Sequence, residues 1–247
     1  MTSLILVTGG TGTLGRLVVP LLRSAGHQVR VLGRRGGDVT ADLLTGEGVQ
    51  PAVDGADTVL HLAGGPKNDD VMTRNLVQVA ARAEVRHLVH ISVIGADRVP
   101  LAWFRYQRDA ERAVMDSGVP WTMLRAAQFH DLVLKAVTPM AKLPVVPVPG
   151  GLRFQPVDAR DVAARLADLT VGPPSDLVPD LAGPKVYGMG ELVRGYLAVA
   201  ARGKRRPMLP VRMPGKAGRA YRAGDNLSLE AELGKRTWEE FLAERVR

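Results

Sequence analysis

Thr8-Gly9-Gly10-Thr11-Gly12-Thr13-Leu14-Gly15 decides the fold of this chain, because Gly9, Gly12 and Gly15 stand at every third position between an apolar run and a helical pattern. Before this stretch, Leu4 to Thr8 is short, apolar and rich in branched side chains, and reads as a buried parallel strand. After it, Leu14, Leu17, Val18, Leu21, Leu22 and Ala25 recur at helical spacing, with Gly26 as a stop and Pro20 removing one backbone donor inside the helix. In a strand-turn-helix unit of this kind each glycine has a mechanical reason. The first allows a tight turn, the second a close approach of backbone to a pyrophosphate, and the third close packing of helix on strand. The anion then rests on the helix N-terminus, where free amides and the helix dipole attract it. The unit predicts dinucleotide binding, with Thr8, Gly9, Gly12, Thr13, Leu14 and Gly15 as the phosphate-side residues.

Outward from the turn the same alternation repeats. Gln28 to Leu32 reads as a strand, Asp57 to Leu62 as a strand, Asp69 to Ala83 as a helix, Val85 to Val93 as a strand, Leu101 to Asp116 as a helix and Trp121 to Arg125 as a strand. Repeated βα units predict an α/β fold, a Rossmann-type doubly wound parallel sheet. Beyond Phe129 the pattern loosens, and prolines at 139, 144, 147 and 149 break it into short pieces. Asp158 and Asp161 read as an N-cap and a first-turn acid of a helix reaching about Leu169, and Leu229 to Val246 as one more helix or two short ones. The expected organisation is one domain over 1–247: a dinucleotide-binding core over 1–128 and a small C-terminal substrate-binding region over 129–247 packed on it.

Composition narrows the function classes. The chain has 247 residues, 46% of them hydrophobic, with no apolar run long enough to cross a bilayer. Met1-Thr2-Ser3 lacks the basic opening of a signal peptide, so a soluble, cytoplasmic protein with no membrane partner is expected. The absence of cysteine excludes disulfides, thiolate metal sites and cysteine nucleophiles, and the histidine spacing suggests no metal site. A net charge of +8 is compatible with nucleic acid, an anionic substrate or an arginine-rich surface. The densest basic run, Arg202, Lys204, Arg205 and Arg206, lacks the interleaved aromatics of a single-strand binder, which argues for a solvated loop and against nucleic acid.

The GxxGxxG spacing, His61-Leu-Ala-Gly, His90-Ile-Ser-Val-Ile-Gly, Trp121-Thr-Met-Leu-Arg, and Gln155-Pro-Val-Asp followed by Arg160-Asp-Val-Ala together resemble the extended and atypical short-chain dehydrogenase/reductases, in particular their NmrA-like NAD(P)-binding branch. In NAD-specific relatives an acid ends the second strand and accepts from the ribose hydroxyls. Here Gly33-Arg34-Arg35 occupies that place, and two guanidiniums favour NADP(H) over NAD(H) because their forks match a 2′-phosphate. The resemblance further implies adenine contact by Asp42 and Leu43, and passage of the nicotinamide-side ribose past Ala63 and Gly64.

The same resemblance implies a Ser, Tyr, Lys catalytic set, in which the tyrosine moves the proton and the lysine tunes it. Ser92 stands at the serine position, but the register that aligns Glu111 places Trp103 at the tyrosine and Gln107 at the lysine, and Tyr106 completes no YxxxK. Trp103 reads as a packing residue or a stacking platform, Gln107 as a cofactor contact. Gln128, Phe129 and His130 follow the sixth strand, where His130 either donates to a substrate oxygen or faces solvent at a helix start; His61, His87 and His90 read as packed or surface residues. Without a tuned acid, the acceptor expected for hydride is a small quinone-like or aromatic molecule. Similar proteins serve aromatic polyketide pathways as reductases or oxygenase components. The rival expectation is a dinucleotide-binding redox sensor without turnover. A nucleotide-sugar epimerase fits less well because it needs the missing pair. A homo-oligomer or a partner protein is left open.

Overall fold

The computed structural model describes residues 3–200 and 206–246. In chain order its elements are β1 (Leu4–Thr8), α1 (Gly15–Ser24), β2 (Gln28–Gly33), β3 (Val39–Thr40), α2 (Val49–Val53), β4 (Thr58–His61), α3 (Asp69–Arg82), β5 (His87–Val93), α4 (Ala102–Met115) and β6 (Trp121–Ala126). They continue with α5 (His130–Met140), β7 (Val146–Pro149), β8 (Arg153–Phe154), α6 (Ala159–Val171), β9 (Asp176–Leu177), β10 (Leu181–Ala182), β11 (Tyr187–Gly188), α7 (Met189–Ala200), β12 (Met208–Val211), α8 (Gly215–Ala223), β13 (Glu232–Leu233) and α9 (Trp238–Arg245). The chain divides into two compact units: Met1–Ser92 with Ala102–Arg125 and Val162–Val178, and Val93–Leu101 with Ala126–Asp161 and Pro179–Arg247.

In the first unit the strands run β3-β2-β1-β4-β5-β6, with β9 beside β6. The β1–β2, β1–β4, β2–β3, β4–β5 and β6–β9 pairings are parallel. This is the doubly wound order, and it reverses between β1 and β4; in folds of this order ligands gather at the carboxyl ends of the strands beside such a reversal. Parallel strands covered on both faces need apolar side chains on both, which is why Ile5, Leu6, Val7, Val59 and Leu60 are all fully buried. On one face Leu6, Val49, Val53, Leu76, Leu88, Val114 and Met123 form a single core cluster with α2, α3 and α4.

The second unit packs Val133 and Val137 of α5, Val146 and Val148 of β7, Leu192 and Leu197 of α7, and Trp238, Phe241 and Leu242 of α9 into its own core. Strands β7 and β12 pair in parallel, as do β10 and β13, and β8 pairs antiparallel with β11. Here two expectations from the sequence are corrected. Pro139 does not end a segment but lies inside α5, where in the last turn its missing N–H removes only one helical bond. The stretch from Leu229 is not helical up to Thr237: β13 interrupts it, and α9 starts only at Trp238 behind a capping box between Thr237 and Glu240. Asp158 does cap α6, accepting from the Arg160 amide at 2.8 Å. Asp161 turns its carboxylate to the amides of Lys235 and Arg236 and to the Arg236 guanidinium, which fixes the turn before α9.

Arg202, Lys204 and Arg205 of the basic run lie outside the described residues; Arg206 donates to the Lys142 and Leu143 carbonyls at 3.0 and 2.7 Å. Among the described residues no helix is long and apolar enough to cross a membrane.

Candidate functional site

The glycine turn leaves β1 at Thr8. Its hydroxyl lies 2.7 Å from His61 Nδ1 and accepts from the Leu62 and Ala63 amides, so it ties the ends of β1 and β4 together beneath the loop. Gly9 follows at φ +68, and a Cβ there would lie 2.7 Å from the Ala63 nitrogen; only glycine lets the two strand ends come this close. A Cβ on Gly15 would lie 2.4 Å from the Gly9 carbonyl oxygen and the Gly10 Cα, so α1 can start directly against the turn only with glycine in that place. Gly12 and Thr13 are exposed, Leu14 is buried, and α1 has no side-chain cap. The residues therefore fit a dinucleotide pyrophosphate: a backbone cradle that side chains would fill, ahead of uncapped helix amides.

Arg34 and Arg35 are exposed just past β2, and among the described residues neither guanidinium makes a hydrogen bond or ion pair. The nearby acid, Asp38, is turned back on the strand, accepting from the Val31 amide at 2.8 Å and from Arg23 at 3.1 Å. Asp42 accepts from the Leu44 amide, and Leu43 is buried, with its carbonyl taking a hydrogen bond from Asn75.

On the β4 side, Ala63, Gly64 and Gly65 form the loop into α3. Trp103, half-buried, donates its indole N–H to the Gly65 carbonyl at 3.1 Å, and one helical turn on, Gln107 donates its carboxamide to Asp69. Asp69 also accepts from the Gly65 amide at 2.7 Å. Trp103 and Gln107 thus both serve to hold the 63–69 loop. Burial raises the Asp69 carboxyl to about 6, against the lowering by its bonds from Gly65 and Gln107 and with a further push from Asp70. Nothing in the sequence marks Asp69 beyond an acid in the first helical turn.

Ser92 is also buried, and its hydroxyl donates to Glu111 at 2.6 Å; Arg125 clamps the same carboxylate through Nε and a terminal nitrogen at 2.7 and 2.6 Å. His61 and His90, register partners on β4 and β5, stack with ring centroids 5.2 Å apart. His61 is further bonded to Thr73, and burial holds both imidazoles well down, His90 at about 4. His87 meets Thr122 at 2.8 Å. In the second unit His130 is fully buried between Trp238 and Phe241, and among the described residues neither ring nitrogen makes a hydrogen bond; it does not face solvent. Burial lowers its pKa, opposed by Asp158 at 4.0 Å. Gln128 likewise has a buried carboxamide without a partner. Among the described residues no group of histidines and acids is placed to hold a metal. A surface cleft of about 740 Å³ between α3 and α4 is bordered by Arg74, Arg82, Asp109 and Arg112 and by none of the candidate site residues described above.

The NAD(P)H-binding family matches residues 9–170, from the glycine turn through α6. The chain belongs to this family. Among the proteins it resembles are reductases. It is 36% identical over 177 residues to the (4-alkanoyl-5-oxo-2,5-dihydrofuran-3-yl)methyl phosphate reductase of Streptomyces griseus, a match covering 65% of this chain and 61% of that protein, less than two thirds of its length. It is 28% identical over 213 residues to the NAD(P)H azoreductase of Xenophilus azovorans, covering 81% of this chain and 74% of the relative. In fold it is similar to an NADPH-dependent quinone oxidoreductase of Escherichia coli complexed with NADPH, with TM-score 0.82 at 18% identity over 97% of this chain and 99% of that one. The Citrobacter triphenylmethane reductase complexed with NADP(H) follows at TM-score 0.75 and 20% identity, covering 98% and 99%.

Proposed function

We propose that this chain is an NADPH-dependent reductase whose hydride acceptor is a quinone-like or aromatic small molecule. One observation carries the reading: on α4, Trp103 and Gln107 spend their polar groups on Gly65 and Asp69, so the positions that would hold a tuned tyrosine acid offer none. Reduction of a simple ketone makes a localised alkoxide that needs such an acid. A quinone spreads the incoming charge over its ring and second oxygen, so binding and orientation supply most of what the reaction needs.

In this reading Gly9, Gly12, Thr13, Leu14 and Gly15 receive the pyrophosphate, with Thr8 fixing the strand ends beneath it. Arg34 and Arg35 take the 2′-phosphate, Asp42 and Leu43 border the adenine, and Ala63, Gly64 and Gln107 orient the nicotinamide half. The bound cofactor supplies the hydride. Ser92, committed to Glu111, acts through the shape of β5 and α4, and His130 through the packing of its own unit, so their alanine variants lose activity in part. The azoreductase among the relatives and the quinone and triphenylmethane reductases among the fold neighbours support acceptors with delocalised electrons.

The test is NADPH oxidation by the purified protein against a naphthoquinone, an anthraquinone and a set of aliphatic ketones, with and without oxygen. Quinone turnover with ketones inert is expected; the oxygen arm separates simple reduction from a reduced product that reacts onward with O2. Rapid ketone turnover overturns the mechanism. Silence toward every acceptor, beside micromolar NADPH binding, favours a dinucleotide sensor, which the same immobilised loop would suit.

A further inference from the structure

We propose that Asp69 is the positioning residue for the nicotinamide half of the cofactor, acting through Gly65 on one side and Gln107 on the other. The inference rests on the reading above that the dinucleotide passes the 63–65 loop. Asp69 is 4% exposed, yet among the described residues no cation pairs with it: its carboxylate accepts from the Gly65 amide and the Gln107 carboxamide. An ionised carboxylate has no proton to give, so it settles the orientation of the Gln107 amide, whose NH2 must face Asp69. The Gln107 oxygen is then the atom left for another partner. The result is a hydrogen-bond acceptor where the short-chain resemblance implies a lysine ammonium, which can only donate. An acceptor suits the hydroxyl protons of a ribose. The same carboxylate holds Gly65 from its amide while Trp103 holds it from its carbonyl, and a Cβ on Gly64 would come within 3.5 Å of Asp69 Oδ2, so the loop rests directly on this side chain.

The charges around Asp69 are few. Asp70, beside it on α3, is paired with Arg74 at 2.6 Å. The α4 helix presents the uncharged Gln107 and Trp103, and the nearest imidazole, His61, reaches this point only through Thr73, whose hydroxyl bonds the Asp69 carbonyl. Burial thus sets the Asp69 pKa near 6 with Asp70 adding to it. Protonation would convert one carboxylate oxygen into a donor facing the Gln107 NH2, and the amide would have to turn over.

Asp69→Asn imposes that change at every pH: it retains an acceptor for Gly65 but sets an NH2 against Gln107. Binding of NADPH and of 2′-phosphoadenosine 5′-diphosphate, which lacks the nicotinamide half, is measured by calorimetry for wild type and variant between pH 5 and 8. The expected result is a loss of up to about tenfold for NADPH with the fragment unchanged, the size of one neutral hydrogen bond. In wild type, NADPH affinity relative to the fragment falls below about pH 6, and in the variant this dependence disappears. If Asp69→Asn does not fold, the wild-type pH dependence decides, and it is expected to disappear in Gln107→Met, through which Asp69 acts. Equal losses for both ligands, or none, overturn the proposal. Wild-type protein that binds neither ligand overturns the cofactor reading itself, and this assignment with it.

Discussion

Among the described residues Arg34 and Arg35 are unpaired, whereas Arg23, Arg74, Arg125 and Arg160 have carboxylate partners. Two unpaired cations side by side repel each other, and a phosphate between them would relieve that. Replacing both with alanine is therefore expected to weaken NADPH by about 1.5–3 kcal/mol per charged hydrogen bond lost, and NADH hardly at all. Calorimetry with both cofactors decides it; equal affinities in the wild-type protein would refute the assignment. The glycines of the turn separate fold from function in the same way. A side chain on Gly12 would meet only the Gly9 carbonyl oxygen, 3.1 Å from its Cβ, whereas one on Gly15 would overlap backbone at 2.4 Å. Gly12→Val is expected to keep the fold, by circular dichroism, and lose NADPH; Gly15→Ala is expected to lose the fold. Normal NADPH binding by a folded Gly12→Val protein would show that the pyrophosphate lies elsewhere.

At the scale of elements, legibility followed periodicity. The α1 stripe Leu14, Val18 and Leu22 is buried as its spacing requires, while Leu21, also on the apolar pattern, is 42% exposed. The parallel strands were legible because burial on both faces leaves continuous apolar runs. In the second unit the helices were hidden by residues that usually break them. Pro139 sits in the last turn of α5, Pro51 lies in the short α2 of the first unit, and α7 carries Gly190 and Gly195. Gly195 has a packing reason that no single sequence displays: a Cβ there would lie 3.1 Å from Trp238 Nε1, a ring fully buried and fixed by its bond to the Leu192 carbonyl. The site was legible to the same extent. The candidate glycines and arginines are marked by position along the chain, but the contacts behind the role proposed for Asp69 form only when α4 is laid against α3. Gly195→Ala sets two effects in opposition. Helix propensity favours alanine by about 1 kcal/mol. Overpacking against a ring that cannot move costs about 1–3 kcal/mol. A net loss of stability is expected, read as a lower urea midpoint; a higher midpoint would mean that Trp238 yields.

For the molecule as a whole, the fold is shared with reductases at 18% and 20% identity, so its stability rests on pattern more than on particular residues. The buried imidazoles are an exception, because they couple the entire chain to pH. His61, His87, His90 and His130 all have pKa values lowered chiefly by burial, His90 to about 4. A histidine whose folded pKa lies below its unfolded value of about 6.5 takes up its proton more readily when unfolded. Its contribution to stability is therefore complete above pH 6.5 and is lost as pH falls from there toward the folded value. For His90, descending from pH 6.5 to 5 removes about 2 kcal/mol, at about 1.4 kcal/mol per pH unit. Asp69 acts in the opposite sense. Raised from 3.8 to about 6, it holds a proton when folded that the unfolded chain releases, so its contribution grows as pH falls through that interval. Several imidazoles outweigh one carboxyl, and the balance fixes the sign. The urea midpoint is expected to fall between pH 7.5 and 5, and to fall less in His90→Leu, whose side chain stacks on His61 without a charge to gain. A wild-type midpoint that holds or rises toward pH 5 would mean that water reaches these rings.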